Sequence, residues 1–203
     1  MKQKNKILAV SGCTLFVLIS SAFAFLHQQS EFKTGVSATD TFSATIVERT
    51  FDELPDTDGN GIKDEMENLT SGKSVTLDPV IVSTAQDDMW AIIKVSVPTV
   101  TSTLSTDDGK AVHDVFTFTP NTDYKLLSST ESDVAGTPSI YYYGLNSVLP
   151  KNSESVALFT EITVNDFASN EELTDASVDV TGAIVQARSV ESVDDAFKEV
   201  GEF

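Results

Sequence analysis

The stretch from Met89 to Val97 constrains the fold most, because it alternates over nine residues without a break. Successive side chains of a β-strand point to opposite faces of the sheet. One face would carry Met89, Ala91, Ile93, Val95 and Val97, and the other Trp90, Ile92, Lys94 and Ser96. Pro98 ends the stretch, since proline cannot donate to a ladder. The sequence therefore predicts its strongest strand over residues 89–97.

Shorter stretches of strand character recur along the whole chain. We predict further strands over residues 41–51, 73–83, 112–119, 124–127, 140–143, 155–164 and 177–187. A short helix is predicted at about 63–70, and a second begins at Ser192, where a capping-box pattern has Asp195 in place of Glu, and ends at Gly201. About eight short strands with little helix predict an all-β fold. We expect an antiparallel β-sandwich of the jelly-roll or Greek-key type with one or two short helices.

The first 24 residues have the layout of a secretory signal. Three lysines among the first six residues precede an apolar run from Ile7 to Leu26, and Ala22 and Ala24 offer small side chains to a signal peptidase. A membrane span is the alternative, because about 20 apolar residues could just cross a bilayer. Lipidation at Cys13 is another, although it would leave a short apolar region before the cysteine. We therefore expect a signal peptide at 1–24, an N-terminal arm at 25–40 and one β-sandwich domain at 41–203.

The charge of the chain excludes several classes of partner. The formal net charge is −18, and loss of the three signal lysines would make it −21. Such a charge repels nucleic acids and anionic membrane surfaces, and it favours cations as ligands. The single cysteine lies within the signal, so the exported domain of 179 residues would have no disulfide. We expect a secreted protein, extracellular or at the cell surface, that is stabilised by core packing or by metal.

An acidic loop inserted at residues 56–67 matches the calcium loop of an EF-hand. Acids or amides occupy positions 1, 3, 5 and 9, glycine occupies position 6 and glutamate position 12. The predicted calcium ligands are Asp56, Asp58, Asn60, Ile62 through its carbonyl, Asp64 and Glu67. The alternative is an ordinary acidic turn. Pro55 disfavours an entering helix, so the loop resembles the single calcium loops of secreted proteins such as dockerin. The loop would then bind the ion weakly, and the ion would stabilise the structure and not act as a switch.

Residues that could perform catalysis are sparse. His27 and His113 have no metal-ligand pattern around them, and neither the His-Glu-x-x-His nor the Gly-x-Ser-x-Gly motif occurs. Tyr141 to Tyr143 could form a sugar-binding platform, but a strand with one ring buried is the simpler interpretation. The sequence therefore gives no catalytic residues and no cofactor other than calcium.

The order of several blocks resembles the camelysin/TasA family of Gram-positive exported proteins. The similar blocks are the Phe42 strand after the signal, residues 72–80, residues 90–95, Tyr142-Tyr143, Leu149-Pro150, residues 156–159 and residues 183–187. The resemblance implies a jelly-roll domain that a dedicated signal peptidase releases and that assembles into biofilm-matrix fibres or attaches to the cell surface. Phe25-Leu26-His27-Gln28 departs from the Tyr-Phe-x-Asp that the family often has after cleavage, and many members lack the calcium loop.

Three functions follow as hypotheses. The first is a structural subunit of an extracellular matrix or surface fibre, joined by strand donation from the arm at residues 25–40 to a neighbouring sheet edge. The second is a camelysin-like surface metallopeptidase, because some members of the family are described as such. The third is a calcium-dependent adhesion module. We expect self-association, with no nucleic-acid partner and with membrane contact only through the signal before its cleavage.

Overall fold

A computed structural model of the 203-residue chain describes residues 14–19, 22–27, 32–34, 44–57, 59, 64, 67–168, 178–188 and 190–203. The strands at 14–34 and 67–69 are described by their backbone pairing. The elements are β1 (Thr14–Ile19), β2 (Ala22–His27), β3 (Phe32–Thr34), β4 (Ala44–Val47), α1 (Arg49–Asp52), β5 (Glu67–Leu69), β6 (Ser74–Thr76), β7 (Val80–Ser83), β8 (Met89–Val97), β9 (Thr99–Ser102), β10 (Ala111–Asp114), β11 (Phe116–Phe118), β12 (Tyr124–Thr130), β13 (Ser139–Leu145), β14 (Glu161–Val164), β15 (Asp179–Gln186) and α2 (Val193–Val200).

The largest sheet has the order β12-β13-β8-β15-β3, with β8 at its centre. β8 pairs antiparallel with β13 on one side and with β15 on the other. β15 in turn pairs in parallel with β3. The strand predicted over 89–97 is confirmed with the same bounds. Because β8 has a partner strand on each side, its backbone donors and acceptors are satisfied. Both faces of the sheet can therefore be buried under other elements.

A second layer of smaller sheets packs against one face of the large sheet. Its strands pair in the orders β11-β14-β6 and β4-β7. Ile93 and Val95 of β8 share one core cluster with Phe116 of β11 and Ile162 of β14, and each is at most 1% exposed. The predicted all-β, antiparallel sandwich is therefore confirmed. The jelly-roll connectivity stays a prediction.

Helix α2 covers the other face of the large sheet. Ile92 and Val185 belong to a second buried cluster with Val193 and Ala196 of the helix. The alternation of β8 thus divides its side chains between two cores, as the sequence pattern predicts. Gly144 of β13 permits the close approach, because a Cβ there would lie 2.5 Å from Val193 Cγ2.

The predicted ends of α2 are confirmed. The Ser192 hydroxyl accepts a hydrogen bond from the Asp195 amide at 3.2 Å and donates one to the Asp195 carboxylate at 2.7 Å. This is the capping arrangement that the sequence indicates. At the other end Gly201 has φ +69°, in the left-handed region that favours glycine. Its amide donates to the Phe197 carbonyl at 2.8 Å, which ends the helix.

The strand predicted over residues 41–51 is wrong beyond residue 47. Ile46 is buried and Thr45 exposed, as a half-buried strand requires, but α1 follows at once. The Asp78 carboxylate accepts hydrogen bonds from the Thr50 amide at 3.1 Å and from the Thr50 hydroxyl at 2.6 Å. A carboxylate 28 residues away therefore stabilises the start of this turn, and Phe51 is buried in the core. Residues 41–43 lie outside the described part of the chain.

The strand predicted over residues 155–164 is also shorter than expected. Only β14, residues 161–164, forms a ladder within it. The Ser155 hydroxyl accepts a hydrogen bond from the Ile81 amide at 3.0 Å, and the Leu158 amide donates to the Pro79 carbonyl at 3.0 Å. A side-chain oxygen thus takes the place of a ladder carbonyl, so the segment follows β7 without forming a regular strand.

β-Strands form in two regions where the sequence predicts a helix or a signal peptide. Of the helix predicted at 63–70, residues 67–69 instead form β5, which pairs in parallel with β1. A helix of eight residues is marginal without tertiary support, so pairing prevails there. β1 and β2 form an antiparallel pair within the apolar stretch around the predicted cleavage site, and cleavage after Ala24 stays a prediction. None of the helices in the described ranges has the length and apolar character needed to cross a membrane.

Candidate functional site

The candidate metal-binding loop begins directly after α1. Phe51 anchors this entry, because its ring is 3% exposed within the core. The Leu54 amide donates to the Phe51 carbonyl at 3.1 Å, so the chain turns before it reaches Pro55. The segment that leads into the loop is thus attached to the sandwich.

Two of the predicted ligands, Asp56 and Asp64, are described with their side chains. Asp56 Oδ1 accepts a hydrogen bond from the Gly59 amide at 2.8 Å, and Gly59 has φ +73°. Asp64 Oδ1 accepts from the Thr57 amide at 2.8 Å, and Asp64 Oδ2 accepts from the Thr57 hydroxyl. The Asp64 amide donates to the Pro55 carbonyl at 2.9 Å, which closes the loop between positions 55 and 64.

The electrostatics of Asp64 favour its charged form. The hydroxyl and then the amide of Thr57 lower the pKa of the Asp64 carboxyl below its ordinary value, because both donate to the carboxylate. Asp64 occupies position 9 of the predicted loop, where the ligand often reaches calcium through a water molecule. Engagement with Thr57 is compatible with that role, since each carboxylate oxygen has a second lone pair.

The other predicted ligands are described in part or not at all. Asp58, Asn60 and Ile62 lie outside the described residues, and Glu67 is described by its backbone at the start of β5. Among the described residues, no three His, Cys, Asp or Glu side chains form a group that could hold a metal ion. Asp56 and Asp64 offer carboxylate oxygens of the kind that calcium takes, and calcium binding by the loop stays a prediction.

The exit of the loop is fixed to β14. The Gly72 amide donates to the Val164 carbonyl at 2.9 Å, and Gly72 has φ +75°. The Ser71 hydroxyl exchanges hydrogen bonds with the Phe167 backbone, each at 3.1 Å. Because both ends are fixed, a metal ion bound between them would act on the loop without moving the sandwich.

The β15 edge is the second candidate site. Val180 and Ile184 are fully buried in the sandwich core, and Ala183 and Val185 are buried under α2. The strand is therefore held on both of its faces. At its outer edge, residues 182–184 pair with β3, which lies within the stretch predicted as the N-terminal arm. The remaining positions of β15 have no β3 residue opposite them.

The three consecutive tyrosines are distributed between the two cores. Tyr143 is 8% exposed in the sandwich core, and Tyr142 is 5% exposed in the cluster under α2. Tyr141 donates to Asp114 Oδ2 at 2.6 Å, and Ser139 donates to Asp114 Oδ1 at 2.6 Å. Burial, and then the hydrogen bond to Asp114, raise the pKa of the Tyr141 hydroxyl. These contacts support the interpretation of a packed strand.

His113 lies on β10, opposite Val100 of β9. Its Nε2 atom is buried and has no hydrogen-bond partner within the described part of the chain. The neighbouring Asp114 is already engaged with Ser139 and Tyr141, and its carbonyl accepts from Asn165 at 2.9 Å. Asp114 thus joins β10 to β13 and to the residue that follows β14 by hydrogen bonds.

Sequence reasoning missed several residues that position these sites. Asp78 fixes the entry of the metal loop, and its place before Pro79 offered only a turn signal. The contact between β3 and β15 links residues about 150 positions apart, and no local pattern indicates it. The alternation places Lys94 on the same face of β8 as Trp90 and Ile92, but its neighbours on adjacent strands depend on the sheet register.

We compared the chain with family models, curated proteins and solved structures. No family model matches the chain, and neither the curated proteins nor the solved structures gave a match.

Proposed function

We propose that this chain is a secreted structural subunit of an extracellular matrix or cell-surface fibre. Subunits would be joined by strand donation at the β15 edge, and calcium would staple the loop at 56–67. The observation that supports this most is the short parallel pairing of Phe32–Thr34 with residues 182–184 of β15. The resemblance to the camelysin/TasA family, with its jelly-roll subunits, favours the same proposal.

The pairing between β3 and β15 has features suited to exchange. It involves three residue pairs, and parallel pairing is slightly less stable per residue than antiparallel pairing. β15 itself is held on both faces by side chains that are buried in the two cores. If β3 leaves, the exposed N–H and C=O groups form a template for the same segment of a neighbour.

The connection between β3 and the domain is long enough for exchange between subunits. Nine residues separate Thr34 from Ala44, and an extended chain of that length reaches about 30 Å. The donor segment and the acceptor edge are different surfaces, so the contact is head-to-tail and need not close, which allows it to propagate into a fibre. The net charge of −18, or −21 after cleavage, opposes association. Salt, calcium or lower pH should therefore promote polymerisation.

The test compares three forms of the mature protein by light scattering and electron microscopy at increasing salt and calcium. The first begins at Phe25 and the second at Thr41, which removes β3. The third carries Lys33→Pro, which places a residue without an N–H group in the middle of β3. Thr39→Pro serves as the matched control, because it introduces proline into the same arm outside β3. We expect fibres from the first form and from the control, and loss of fibres from the other two.

Equal polymerisation by the form that begins at Thr41 would contradict strand donation by the arm. The same preparations test the two alternative functions. Zinc-dependent hydrolysis of a protein substrate by the pure mature chain would favour the metallopeptidase. Calcium-dependent binding to a glycan array without fibre formation would favour the adhesion module.

A further inference from the structure

A groove lies on the smaller sheet β11-β14-β6, between its first two strands. Its volume is about 120 Å³, and its lining residues are Thr117, Phe118, Thr119, Glu161 and Thr163. The first three come from β11 and the residue that follows it, and the other two belong to β14. Three hydroxyl groups and one carboxylate therefore meet in a small space. We call this site the β11–β14 groove.

The alternation of both strands directs the oxygen-bearing side chains of the groove to solvent. Ile162, between the two lining residues of β14, is 1% exposed in the sandwich core. Phe118, between the two threonines on the β11 side, packs against the same core, and its ring centroid lies 4.6 Å from that of Phe159. Because successive side chains of a strand point to opposite faces, the groove is a solvent-facing site on a packed base.

Hydroxyl groups continue from the groove across the sheet. Thr117 lies directly opposite Thr163, and Thr163 lies directly opposite Ser74 of β6. The hydroxyls of Ser74 and Thr163 are 2.7 Å apart and share one hydrogen bond. A hydroxyl has one donor and two acceptor lone pairs, so each of these groups can also bind a ligand that itself carries hydroxyls.

Glu161 supplies the charge of the groove. Its side chain is exposed, and its carboxylate has no hydrogen bond or ion pair within the described residues. Glu154, in contrast, pairs with Arg49 at 2.7 Å. The chain has 31 acidic residues against 13 lysines and arginines, so it attracts cations from solution. A cationic group is therefore the complement that this carboxylate lacks.

Two kinds of cation fit the groove poorly. Calcium takes about six to eight oxygen ligands and usually several carboxylates, whereas the residues that line the groove include one. A basic peptide would match the charge, but an extended peptide gains its main-chain hydrogen bonds at a strand edge, and this groove lies on a face. A sugar with a free amino group matches both features, since it offers an ammonium to Glu161 and hydroxyls to the threonines.

We propose that the β11–β14 groove binds a polysaccharide of hexosamine units that carry free amino groups. The ammonium of one unit pairs with Glu161, and hydroxyls of the polymer exchange hydrogen bonds with Thr117 and Thr119. The negative charge of the whole protein draws the polymer towards this surface. The groove includes neither the β15 edge nor the loop at 56–67, so binding requires neither fibre formation nor calcium.

The experiment titrates the purified protein with three oligosaccharides of equal length in a calorimeter. They are oligomers of glucosamine, of N-acetylglucosamine and of glucose. The buffer is slightly acid, so that the amino groups are charged, and it contains a calcium chelator and physiological salt to screen distant charges. Acetylation removes the charge but keeps the sugar ring, so the first two oligomers differ in the group that Glu161 would recognise.

Two variants change the groove and two serve as controls. Glu161→Gln removes the charge, and Thr119→Val removes one hydroxyl while keeping a β-branched side chain. The matched controls are Glu199→Gln on α2 and Thr130→Val at the end of β12, both exposed and outside the groove. The Tm of every variant is measured, so that any loss of folded protein is separated from a loss of binding.

We expect the glucosamine oligomer to bind more tightly than the other two. Glu161→Gln should lower its affinity about threefold to fivefold, because ion pairs on an open surface are weak. The same change should remove the difference between the two amino-sugar oligomers, which completes a double cycle on protein and ligand. Thr119→Val should lower the affinity about twofold to tenfold, because one hydrogen bond is lost. Both controls should bind like the parent protein.

Four results would overturn the proposal. The first is no binding of the glucosamine oligomer to the parent protein. An equal loss with Glu199→Gln would show that the overall charge, and not the groove, attracts the polymer. Unchanged affinity of Thr119→Val would show that its hydroxyl takes no part in recognition. If an oligolysine peptide of equal charge binds as tightly and loses as much with Glu161→Gln, the occupant is a basic peptide.

Discussion

Replacement of Gly144 by alanine tests how α2 packs on the sheet. A Cβ at this position would lie 2.5 Å from Val193 Cγ2 and 2.8 Å from Leu127 Cδ1. Carbon atoms in contact prefer separations of about 3.5–4.0 Å, so the contact is too short by about 1 Å. Val193 cannot turn away easily, because it is β-branched and 4% exposed in the first turn of α2. The helix must therefore move outward.

The cost of this movement can be placed within a range. Overpacking of a well-filled interior costs about 1–3 kcal/mol. In a domain of 150–250 residues, each kcal/mol changes Tm by about 2–4 °C, so we expect Tm to fall by about 2–12 °C. Trp90 lies in the same cluster, so its emission should shift as α2 moves.

The control is Gly109→Ala, where a Cβ would have no atom within 4 Å and φ is not in the left-handed region. It should change the free energy of unfolding by no more than about 0.5 kcal/mol. The rescue is Val193→Ala combined with Gly144→Ala, which removes the clashing methyl. The double variant should be more stable than the sum of the single effects predicts. If Gly144→Ala is as stable as the unchanged chain, or if the two changes are additive, α2 does not pack as described.

Two further predictions concern calcium and alkaline pH. If the loop at 56–67 binds calcium, a hundredfold excess over the dissociation constant should stabilise the fold by about 2.7 kcal/mol. Asp56→Ala with Glu67→Ala should abolish that gain while Asp133→Ala, in another loop, should not, and an unchanged Tm of the parent protein across the titration would contradict the site. Burial raises the pKa of Tyr124 to about 12, although its hydrogen bond to Ser155 lowers it. Because the folded-state pKa is the higher one, the contribution of Tyr124 to stability is complete below pH 10 and is lost as the pH rises towards about 12. Urea unfolding between pH 9 and 12 should show this loss, and Tyr124→Phe should reduce it; an equal slope in both proteins would contradict it.

The sequence predicts those elements whose cause is local. β8 was predictable because nine residues alternate without interruption and Pro98 follows. Both ends of α2 were predictable because Ser192 and Gly201 act on backbone groups within one turn. In each case the residues that determine the structure lie within a few positions of the element they determine.

The predictions that are wrong depend on partners far away in the chain. α1 replaces the end of a predicted strand because Asp78 accepts from Thr50 across 28 positions. The ladder expected at 155 fails because Ser155 accepts from Ile81 with its side chain, across 74 positions. Serine, threonine and aspartate can satisfy backbone groups of other segments, and a single sequence does not indicate which segment.

The same distinction between local and distant residues applies to the candidate sites. The calcium ligands could be proposed from the sequence because an EF-hand loop would supply them all within twelve residues, and calcium binding stays a prediction. The alignment of Tyr142, Lys94 and Thr181 was not predictable, because it depends on the register of β13, β8 and β15. A shift of one residue in either pairing would point one of these residues towards the sandwich core. Sites built across a sheet therefore require the pairing to be known first.

The proposed strand donation uses one edge of β15 and leaves both faces of the strand to the two cores. Strand donation concerns the outer edge of β15 at residues 182–184. Val180 and Ile184 hold the strand from the sandwich core, and Val185 holds it from the cluster under α2. Edge hydrogen bonds can therefore be exchanged while both faces stay packed. A fibre built in this way would exchange the backbone pairing of residues 182–184 with β3, so we expect each domain to stay folded during assembly.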